Sequence, residues 1–339
     1  MAAPPARTSD LVRDSQLRTT VSPGLTHHTY YISGSETQRR RTRTKETWRR
    51  GRELGNGTFG RVWLETCEDG PKTGRLRAVK EIPKELTPSS SVDYGRELEA
   101  IAKFSHDKYV HCFVHSFGWY ESRNAVFIAM EYLQHGDLQK HLAVAFPEEE
   151  AKQIASQLAE GLFFMHDNGF AHRDLKPPNI LVRSPRPDWW VKISDFGITK
   201  RAEAGSALRS VVGTRGYLAP ELLGFCPISE QRPSAHDRAR LSYTTAVDIW
   251  ALGEITVRML AGRSAFRDAH DLFDYVVREN PFPRQTLEDK EISDVCYDFL
   301  ENTMAPSPSR RLRASDALSH PWLEPLRPSS RASSRESSQ

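Results

Sequence analysis

The chain is 339 residues long, with 38% hydrophobic and 27% charged residues, a balance that is ordinary for a globular protein. This length suits about two domains of ordinary size, or one large domain with two lobes. No apolar run approaches the roughly 18–20 residues of a membrane-spanning helix, and the N-terminal residues lack the pattern of a secretory signal. The four cysteines lie far apart, which excludes a disulfide scaffold and a paired-cysteine metal site. We therefore expect an intracellular protein, cytoplasmic or nuclear, without a membrane span.

The net charge of +3 is unevenly distributed along the chain. Residues 1–50 hold ten Lys or Arg and four Asp or Glu, residues 327–339 carry +2, and the remaining middle part carries −5. A mildly acidic folded part does not favour nucleic-acid binding. The basic run at residues 39–45 leaves open a nuclear-import signal or a phosphate-binding patch, although a solvated linker is the simpler interpretation.

Both ends of the chain have the composition of disordered tails. Residues 1–46 are rich in Ser, Thr, Arg and Pro and show little periodicity, so they are predicted to be a disordered basic tail. Within this segment, residues 29–32 have the composition of a short strand. Residues 327–339 contain almost no apolar side chains and are predicted to be a second disordered tail, rich in Ser and Arg.

Strand-like segments dominate residues 48–133, at 61–65, 77–82 and 125–130. One helix interrupts them, because Leu98, Ile101 and Phe104 recur three residues apart. Helical patterns follow from about residue 136 onward, above all at 147–166 and 245–261. The sequence therefore predicts the α+β class, with a small sheet-rich part followed by a larger helical part.

Three closely spaced glycines, Gly55, Gly57 and Gly60, precede the strand-like residues 62–65. In a strand–turn–strand, the missing Cβ atoms allow backbone N–H groups to approach phosphate oxygens. A plain glycine-rich hairpin turn is an equally good interpretation of this motif when it is taken alone.

Lys80 stands between apolar residues of a strand-like segment, where an inward-pointing ammonium group requires a charged partner. Glu97 lies at the start of the predicted helix, and such a Lys–Glu pair can hold the α- and β-phosphates of a nucleotide. A surface lysine on an edge strand and a solvated glutamate are the competing interpretation.

The most specific segment contains Asp174 and Asn179, which are joined by a short loop that can return both side chains to one cavity. Asp195 follows after the strand-like residues 190–193. Asn179 and Asp195 offer the oxygen ligands that Mg²⁺ prefers. Asp174 remains to accept the proton of an attacking hydroxyl group.

These motifs occur in an order that resembles the eukaryotic-type protein kinases, over a match from about Trp48 to Pro325. The motifs are the glycine-rich loop, Ala-x-Lys at 78–80, the helix Glu, H-R-D at 172–174, D-F-G at 195–197, A-P-E at 219–221, D-I-W at 248–250 and the closing segments 308–312 and 320–322. The resemblance implies a bilobal protein-kinase-like fold over residues 47–326. Its small β-rich N-lobe with one key helix spans 47–133, and its larger, mainly helical C-lobe spans 136–326. The segments 187–192 and 243–248 resemble serine/threonine kinases of filamentous fungi, and membership of the calcium/calmodulin-dependent group is left open.

By this resemblance, the catalytic residues are Asp174, which takes the substrate proton, Lys176, which offsets charge on the moving phosphoryl group, and Lys80, which contacts the nucleotide phosphates. Asn179 and Asp195 are the implied Mg²⁺ ligands, so the implied cofactors are ATP and Mg²⁺. The implied nucleotide-binding residues are Leu54, Gly55, Asn56, Gly57, Thr58, Phe59, Gly60, Val62, Ala78, Lys80, Glu97, Met130, Glu131, Leu133, Asp137 and Leu181.

Lys176 and Thr214 both match the serine/threonine form of the family, which implies protein substrates that carry Ser or Thr hydroxyl groups. Arg173 precedes the catalytic Asp, and by resemblance it binds an activation-loop phosphate. An upstream kinase would add that phosphate at Ser206 or Ser210.

Three further residues, Glu221, Arg311 and Asp248, resemble structural residues of the family. The segment 224–241 is longer than the family usually needs. We interpret it as an insertion, either a disordered loop or a partner-docking site.

Three functions compete at this point. They are an active serine/threonine protein kinase, a pseudokinase that binds partners or nucleotide without turnover, and a nucleic-acid-binding protein that uses its basic N-terminal segment. Lys80, Asp174, Asn179 and Asp195 are all present, which favours the active enzyme. The acidic middle part makes nucleic acid an unfavoured partner, and the H-R-D-L-K and A-P-E segments favour protein over small-molecule substrates.

Overall fold

The structure is a computed structural model that describes residues 9–32, 41–57, 60–84, 94–196, 215–229 and 245–324. The described residues divide into two compact units. Unit 1 takes its residues from Met1–Lys140, His172–Pro185 and Val191–Gly213, and unit 2 from His141–Ala171, Arg186–Trp190 and Thr214–Gln339. No helix within the described ranges is both long and apolar enough to cross a membrane.

Unit 1 is built on a seven-stranded antiparallel sheet. In chain order its strands are β1 (Arg18–Ser22), β2 (Leu25–Ile32), β3 (Thr42–Gly57), β4 (Gly60–Asp69), β5 (Leu76–Pro83), β6 (Ser116–Glu121) and β7 (Ala125–Glu131). They pair in the order β1-β2-β3-β4-β5-β7-β6. The same unit contains the helices α1 (Asp10–Asp14) and α2 (Tyr94–Phe104). Strands β8 (Ile180–Ser184) and β9 (Trp190–Ile193) form a separate two-stranded sheet.

The prediction that residues 1–46 form a disordered tail does not hold for residues 9–32 and 41–46. Strands β1 and β2 form a hairpin, and β2 pairs with β3 along its whole length, from Leu25↔Arg49 to Ile32↔Thr42. The strand predicted at residues 29–32 is the end of β2. The rest of the hairpin was missed because β2 buries Thr26 and His28, which leave no apolar period in the sequence. Residues 1–8, 33–40 and 325–339, which include the second predicted tail, lie outside the described residues.

The face of the sheet that β1 and β2 help to enclose carries buried charges. Arg77 of β5 donates to Glu65 Oε2 from Nε and Nη2, at 3.0 and 2.6 Å, and donates to His28 Nε2 from Nη1 at 2.8 Å. Its guanidinium group lies 4.0 Å from the ring centroid of Trp48, and His28 Nδ1 lies 2.7 Å from Thr19 Oγ1. Burial, followed by the charge of Arg77, lowers the pKa of His28 to about 3. His28 is therefore neutral at neutral pH, as its acceptor role toward Arg77 requires.

Two contacts between strands that are not neighbours show that this sheet is strongly curled. His28 on β2 contacts Arg77 on β5, three places away in the strand order. Gln16, just before β1, forms a parallel bridge with Trp119 of β6, the strand at the opposite end of that order. The N-terminal segment therefore joins the two ends of the sheet.

Unit 2 is mainly helical. Its helices are α3 (Glu148–Asp167), α4 (Ala246–Ala261), α5 (Ala269–Val276), α6 (Asp294–Thr303) and α7 (Ala314–Leu318). Helix α3 packs against α4 and α7, and α4 packs against α6. The core face of α3 carries Ile154, Leu158 and Leu162, four residues apart and fully buried. The helices predicted at 147–166 and 245–261 are thus present as α3 and α4, and the predicted α+β class is confirmed.

An ion pair between Glu221 and Arg311 lies within unit 2. Two parallel contacts of 2.7 Å join the guanidinium group to both carboxylate oxygens, and the side chains are 6% and 0% exposed. Arg311 also donates to the carbonyl groups of Ala305, Ala246 and Pro306. The oxygen atoms that accept from Arg311 belong to the Glu221 carboxylate and to backbone carbonyl groups, which supports the interpretation of this pair as structural.

Two segments that the sequence assigns to the helical C-lobe belong to the same unit as the seven-stranded sheet. Residues 172–185 and 191–196 belong to unit 1. The reason is a set of backbone contacts, since Leu181 bridges to Asp137 and Ile193 bridges to Phe113. These contacts place the H-R-D segment and Asp195 in the same unit as the glycine-rich turn.

Candidate active site

Unit 1 contains a cavity of about 270 Å³ with mainly apolar walls. Adjacent strands of the sheet and strand β8 supply those walls. Ten of the predicted nucleotide-binding residues line it, namely Leu54, Gly55, Val62, Ala78, Lys80, Met130, Glu131, Leu133, Asp137 and Leu181. An apolar cleft with a few convergent charged groups is the usual form of a small-molecule site.

Lys80 and Asp195 form an ion pair on the wall of this cavity, through Nζ and Oδ1. The Lys80 side chain is 11% exposed, whereas that of Asp195 is 35% exposed. Asp195 has a left-handed backbone with φ of 59°, a conformation that is rare outside glycine and concentrates at functional sites. Burial by itself raises the pKa of the Asp195 carboxyl, but the positive charges of Lys80 and Lys176 and the hydrogen bond from Lys80 outweigh it, so the pKa is lowered. Asp195 is therefore ionised at neutral pH.

The loop that carries Asp174 holds its polar side chains by internal contacts. Asn179 Nδ2 donates to the Asp174 carbonyl oxygen at 2.8 Å and to its Oδ2 at 3.3 Å. Lys176 Nζ lies 2.9 Å from the same Oδ2. Asp174 and Asn179 are each 8% exposed. A carboxylate, an ammonium group and an amide are thus fixed side by side, and the spacing of Asp174 and Asn179 predicted the nearness of those two.

Ser194 links this loop to Asp195. His172 Nε2 donates to the Ser194 carbonyl oxygen at 2.9 Å, and the Ser194 N–H donates to the Asn179 carbonyl oxygen at 2.9 Å. The residue directly before Asp195 is therefore tied to the segment 172–179 at two points. Asn179 and Asp195 both line the cavity as a result.

The residues Asn179 and Asp195 fit a divalent cation. Because Asn179 Nδ2 donates to Asp174, its Oδ1 is the acceptor end of the amide. An amide oxygen and an ionised carboxylate suit Mg²⁺, which takes few protein ligands and completes its shell with phosphates and water. Among the residues that the structure describes, no three His, Cys, Asp or Glu side chains gather into a site of protein ligands alone.

A family model for the protein kinase domain matches residues 48–323. This chain belongs to the protein kinase family. The match spans both units and contains every predicted catalytic and metal-binding residue.

Curated relatives of this kinase are serine/threonine kinases of several groups. The chain is 33% identical over 275 residues to calcium/calmodulin-dependent protein kinase type 1 of Caenorhabditis elegans, covering 80% of this chain and 72% of the relative. It is 31% identical to the serine/threonine-protein kinase RAD53 of Saccharomyces cerevisiae, covering 80% of this chain and 32% of the relative. It is 32% identical to the serine/threonine-protein kinase cds1 of Schizosaccharomyces pombe, covering 80% of this chain and 57% of the relative. The predicted serine/threonine class is confirmed.

A solved structure of similar fold is the crystal structure of Rad53 1-466 in complex with AMP-PNP. It matches with a TM-score of 0.62 and 30% sequence identity, and the match covers 80% of this chain and 64% of that chain. The protein-kinase fold predicted from the motifs is thus confirmed by sequence and by structure.

Five predicted residues of the glycine-rich turn are not among those that line the cavity. Asn56, Gly57 and Gly60 are described but do not line the cavity, and Thr58 with Phe59 lies outside the described residues. Gly60 has φ of 132°, and an added Cβ would overlap the carbonyl oxygen of Glu81. A side chain is therefore not tolerated at Gly60, whatever its role toward a nucleotide.

Glu131 uses its side chain within the fold. Its Oε1 accepts from the His115 N–H at 2.8 Å and lies 2.5 Å from Lys192 Nζ, which is 3% exposed. The backbone N–H of Glu131 also donates within the fold, to the His115 carbonyl oxygen at 3.0 Å, so a nucleotide contact from Glu131 stays a prediction.

Several predictions fall on undescribed positions. Glu97 lies in α2, but its side chain is outside the described part of the structure, so the expected Lys80–Glu97 pair stays a prediction. Thr214, Ser206 and Ser210 also lie outside it, as does most of the 224–241 insertion.

Sequence reasoning missed part of the cavity wall. The additional lining residues are Ile101, Val114, Ser116, Ile128, Tyr132, Gln134, Gly136, Pro178, Ser194 and Phe196. Phe196 stacks on Phe104 of α2 at a centroid distance of 5.6 Å and packs against Phe113 at 5.5 Å. Two signals were available in the sequence, namely the aromatic residue inside the D-F-G motif and the helical period that contains Ile101.

Proposed function

We propose that this kinase transfers the γ-phosphoryl group of ATP to Ser or Thr hydroxyl groups of proteins by means of Lys80, Asp174, Lys176, Asn179 and Asp195. The observation that carries the proposal is their arrangement within unit 1. Lys80, Asn179 and Asp195 line one cavity, and Asn179 donates to Asp174. The residues that would bind the nucleotide and the residue that would accept the proton are therefore linked through the Asn179 amide.

Asp174 accepts the proton of the substrate hydroxyl at a carboxylate oxygen as that hydroxyl oxygen bonds to the γ-phosphorus. The bond from the γ-phosphorus to the β–γ bridging oxygen breaks at the same time, and ADP leaves with that oxygen. The Asn179 amide orients that carboxylate, and Lys176 lies close enough to donate to a transferring phosphoryl oxygen. Lys80 binds the α- and β-phosphates from the cavity wall. Because the transition state is loose, positioning and charge supply most of the rate enhancement.

Asn179 and Asp195 would hold Mg²⁺. When bound, the ion neutralises phosphate charge and fixes the phosphate geometry. The lowered pKa of Asp195 favours this role, because the carboxylate is ionised before any metal arrives.

A pseudokinase function is disfavoured by the same residues, since the lysine, the catalytic aspartate and both metal-binding side chains are in place together. Nucleic-acid binding by the N-terminal segment is disfavoured, because residues 18–22 and 25–32 are strands of the sheet. An upstream activating kinase and a cytoplasmic or nuclear location remain part of the proposal.

The test is transfer of radiolabelled γ-phosphate to generic protein substrates by the wild type and by Asp174→Asn. We expect the substitution to lower kcat by about 10²–10⁴-fold, because the amide cannot accept the proton. The matched control is Asp188→Asn, since Asp188 is an exposed carboxylate of unit 2, and we expect wild-type transfer from it.

Absence of transfer by the wild type in Mg·ATP, even after phosphorylation by an upstream kinase, would contradict the proposal. Equal activity of Asp174→Asn and Asp188→Asn would contradict the role of Asp174.

A further inference from the structure

Val12 is a fully buried apolar residue in an otherwise polar N-terminal segment. It lies in the five-residue helix α1 and is 1% exposed, whereas its neighbour Leu11 is 43% exposed. Ser9 Oγ accepts from the Val12 N–H at 3.4 Å, and Ser15 Oγ donates to its carbonyl oxygen at 2.9 Å. Serines on both sides therefore fix the backbone of this residue.

Strand β6 holds the same segment by backbone contacts. The Leu17 N–H donates to the Trp119 carbonyl oxygen at 2.7 Å, and the Trp119 N–H donates to the Ser15 carbonyl oxygen at 3.1 Å. Trp119 Nε1 donates to the Val12 carbonyl oxygen at 2.9 Å. Gly118 has φ of 121°, and an added Cβ would lie 2.5 Å from the Ser15 carbonyl oxygen. Such a close approach shows that residues 9–17 are fitted to the sheet.

The side chain of Val12 forms one buried cluster with Ile82, Leu98 and Ile128, against which Ile101 and Met130 pack. Ile101, Ile128 and Met130 are also lining residues of the nucleotide cavity. Val12 therefore belongs to a buried cluster that shares residues with the cavity wall.

Helix α2 extends this connection to Asp195. Helix α1 packs against α2, whose residues Leu98, Ile101 and Phe104 recur at helical spacing. Leu98 contacts the Val12 cluster, Ile101 lines the cavity, and Phe104 stacks on Phe196, the neighbour of Asp195. An 11-residue helix has little stability of its own in water, so packing decides where α2 sits.

We propose that Val12 is a positioning residue for phosphoryl transfer, which acts by holding helix α2 and the back wall of the nucleotide cavity in their catalytic arrangement. The expected change in kinetics rests on the proposed function, whereas the expected effect on helix α2 does not. Close packing transmits the loss of even two methyl groups to neighbouring side chains.

The experiment compares Val12→Ala with the wild type in the full chain, at a temperature where circular dichroism shows both folded. We expect KM for ATP to rise by about three- to tenfold, since small displacements at a site have large kinetic effects, with KM for the protein substrate unchanged. Hydrogen exchange in residues 94–104 should accelerate by about tenfold, while exchange in α3 of unit 2 stays as in the wild type.

Two matched variants accompany it. Val12→Ile keeps a branched apolar side chain, one methylene group larger than the native one, and should leave KM for ATP within about twofold of the wild type. Leu11→Ala truncates the exposed neighbour in the same helix and should change neither reading. If Val12→Ala does not fold, Val12→Thr takes its place, because it keeps the shape and changes only the polarity.

The inference is overturned if the folded Val12 variant keeps wild-type KM for ATP and wild-type exchange in α2. It is also overturned if the Val12 variant gives less active enzyme but that enzyme keeps the wild-type KM for ATP, because a purely structural role would give that result. If the wild type transfers no phosphate, the proposed function fails while the exchange measurement still decides whether Val12 holds α2.

Discussion

Two ion pairs, one in each unit, are built in opposite ways. In unit 1, Lys80 pairs with Asp195, whose side chain is 35% exposed and whose backbone is left-handed. In unit 2, Arg311 grips both oxygens of Glu221, and the two side chains are 0% and 6% exposed. The first pair lines a cavity and the second is enclosed. A half-buried carboxylate with a left-handed backbone on a cavity wall is available for a ligand, whereas an enclosed pair can only hold the fold.

The largest expected effect comes from breaking the enclosed pair. Glu221→Gln leaves the Arg311 charge buried without its counter-charge and should lower the free energy of unfolding by about 3–5 kcal/mol. Urea unfolding of wild type and variant measures this. The control is Glu301→Gln, which removes one member of an exposed pair with Arg284 and should cost less than about 0.5 kcal/mol. Equal losses from both variants would mean that the Glu221–Arg311 pair is not specially stabilising.

For the Lys80–Asp195 pair we expect a large loss of activity with little loss of stability. Asp195→Asn should lower kcat by about 10²–10³-fold, since the anionic side chain that would hold Mg²⁺ at the phosphates is lost. Its melting temperature should stay within about 2 °C of the wild type. The reason is that asparagine has the same shape, tolerates the left-handed backbone and removes a partly buried charge. A melting temperature that falls in step with the activity would show that Asp195 is structural.

A third ion pair, Arg77–Glu65, lies beside a histidine whose protonation makes the stability of the protein depend on pH. His28 beside it has a pKa lowered from 6.5 to about 3, so the unfolded chain binds a proton below pH 6.5 that the folded chain does not bind. Its contribution to stability is therefore complete above pH 6.5 and is lost as the pH falls toward 3. Between pH 6.5 and pH 5 the loss should be roughly 2 kcal/mol, and His28→Gln should remove it.

Unfolding in urea at both pH values tests this, with His27→Gln as the control. His27 is the neighbouring residue on β2, and its Nδ1 lies 3.1 Å from Thr47 Oγ1. If wild type and His28→Gln lose the same stability on acidification, His28 is not the group that titrates.

The sequence predicts the catalytic loop well and the N-terminal part of the sheet poorly, for a physical reason. The spacing of Asp174, Asn179 and Asp195 is set by short loops, so local sequence carries their proximity. The bridge from Gln16 to Trp119 joins residues about a hundred positions apart. No local pattern encodes that contact, and the Thr26 and His28 side chains that β2 buries are polar.

The charges of Lys80 and Asp195 serve to bind Mg·nucleotide and not to stabilise the fold. Calorimetric titration of ATP into wild type and Asp195→Asn, each in Mg²⁺ and in EDTA, tests it most directly. We expect Mg²⁺ to tighten ATP binding to the wild type by about tenfold or more and to leave binding to the variant unchanged. If Mg²⁺ strengthens ATP binding to both proteins equally, the claim is contradicted.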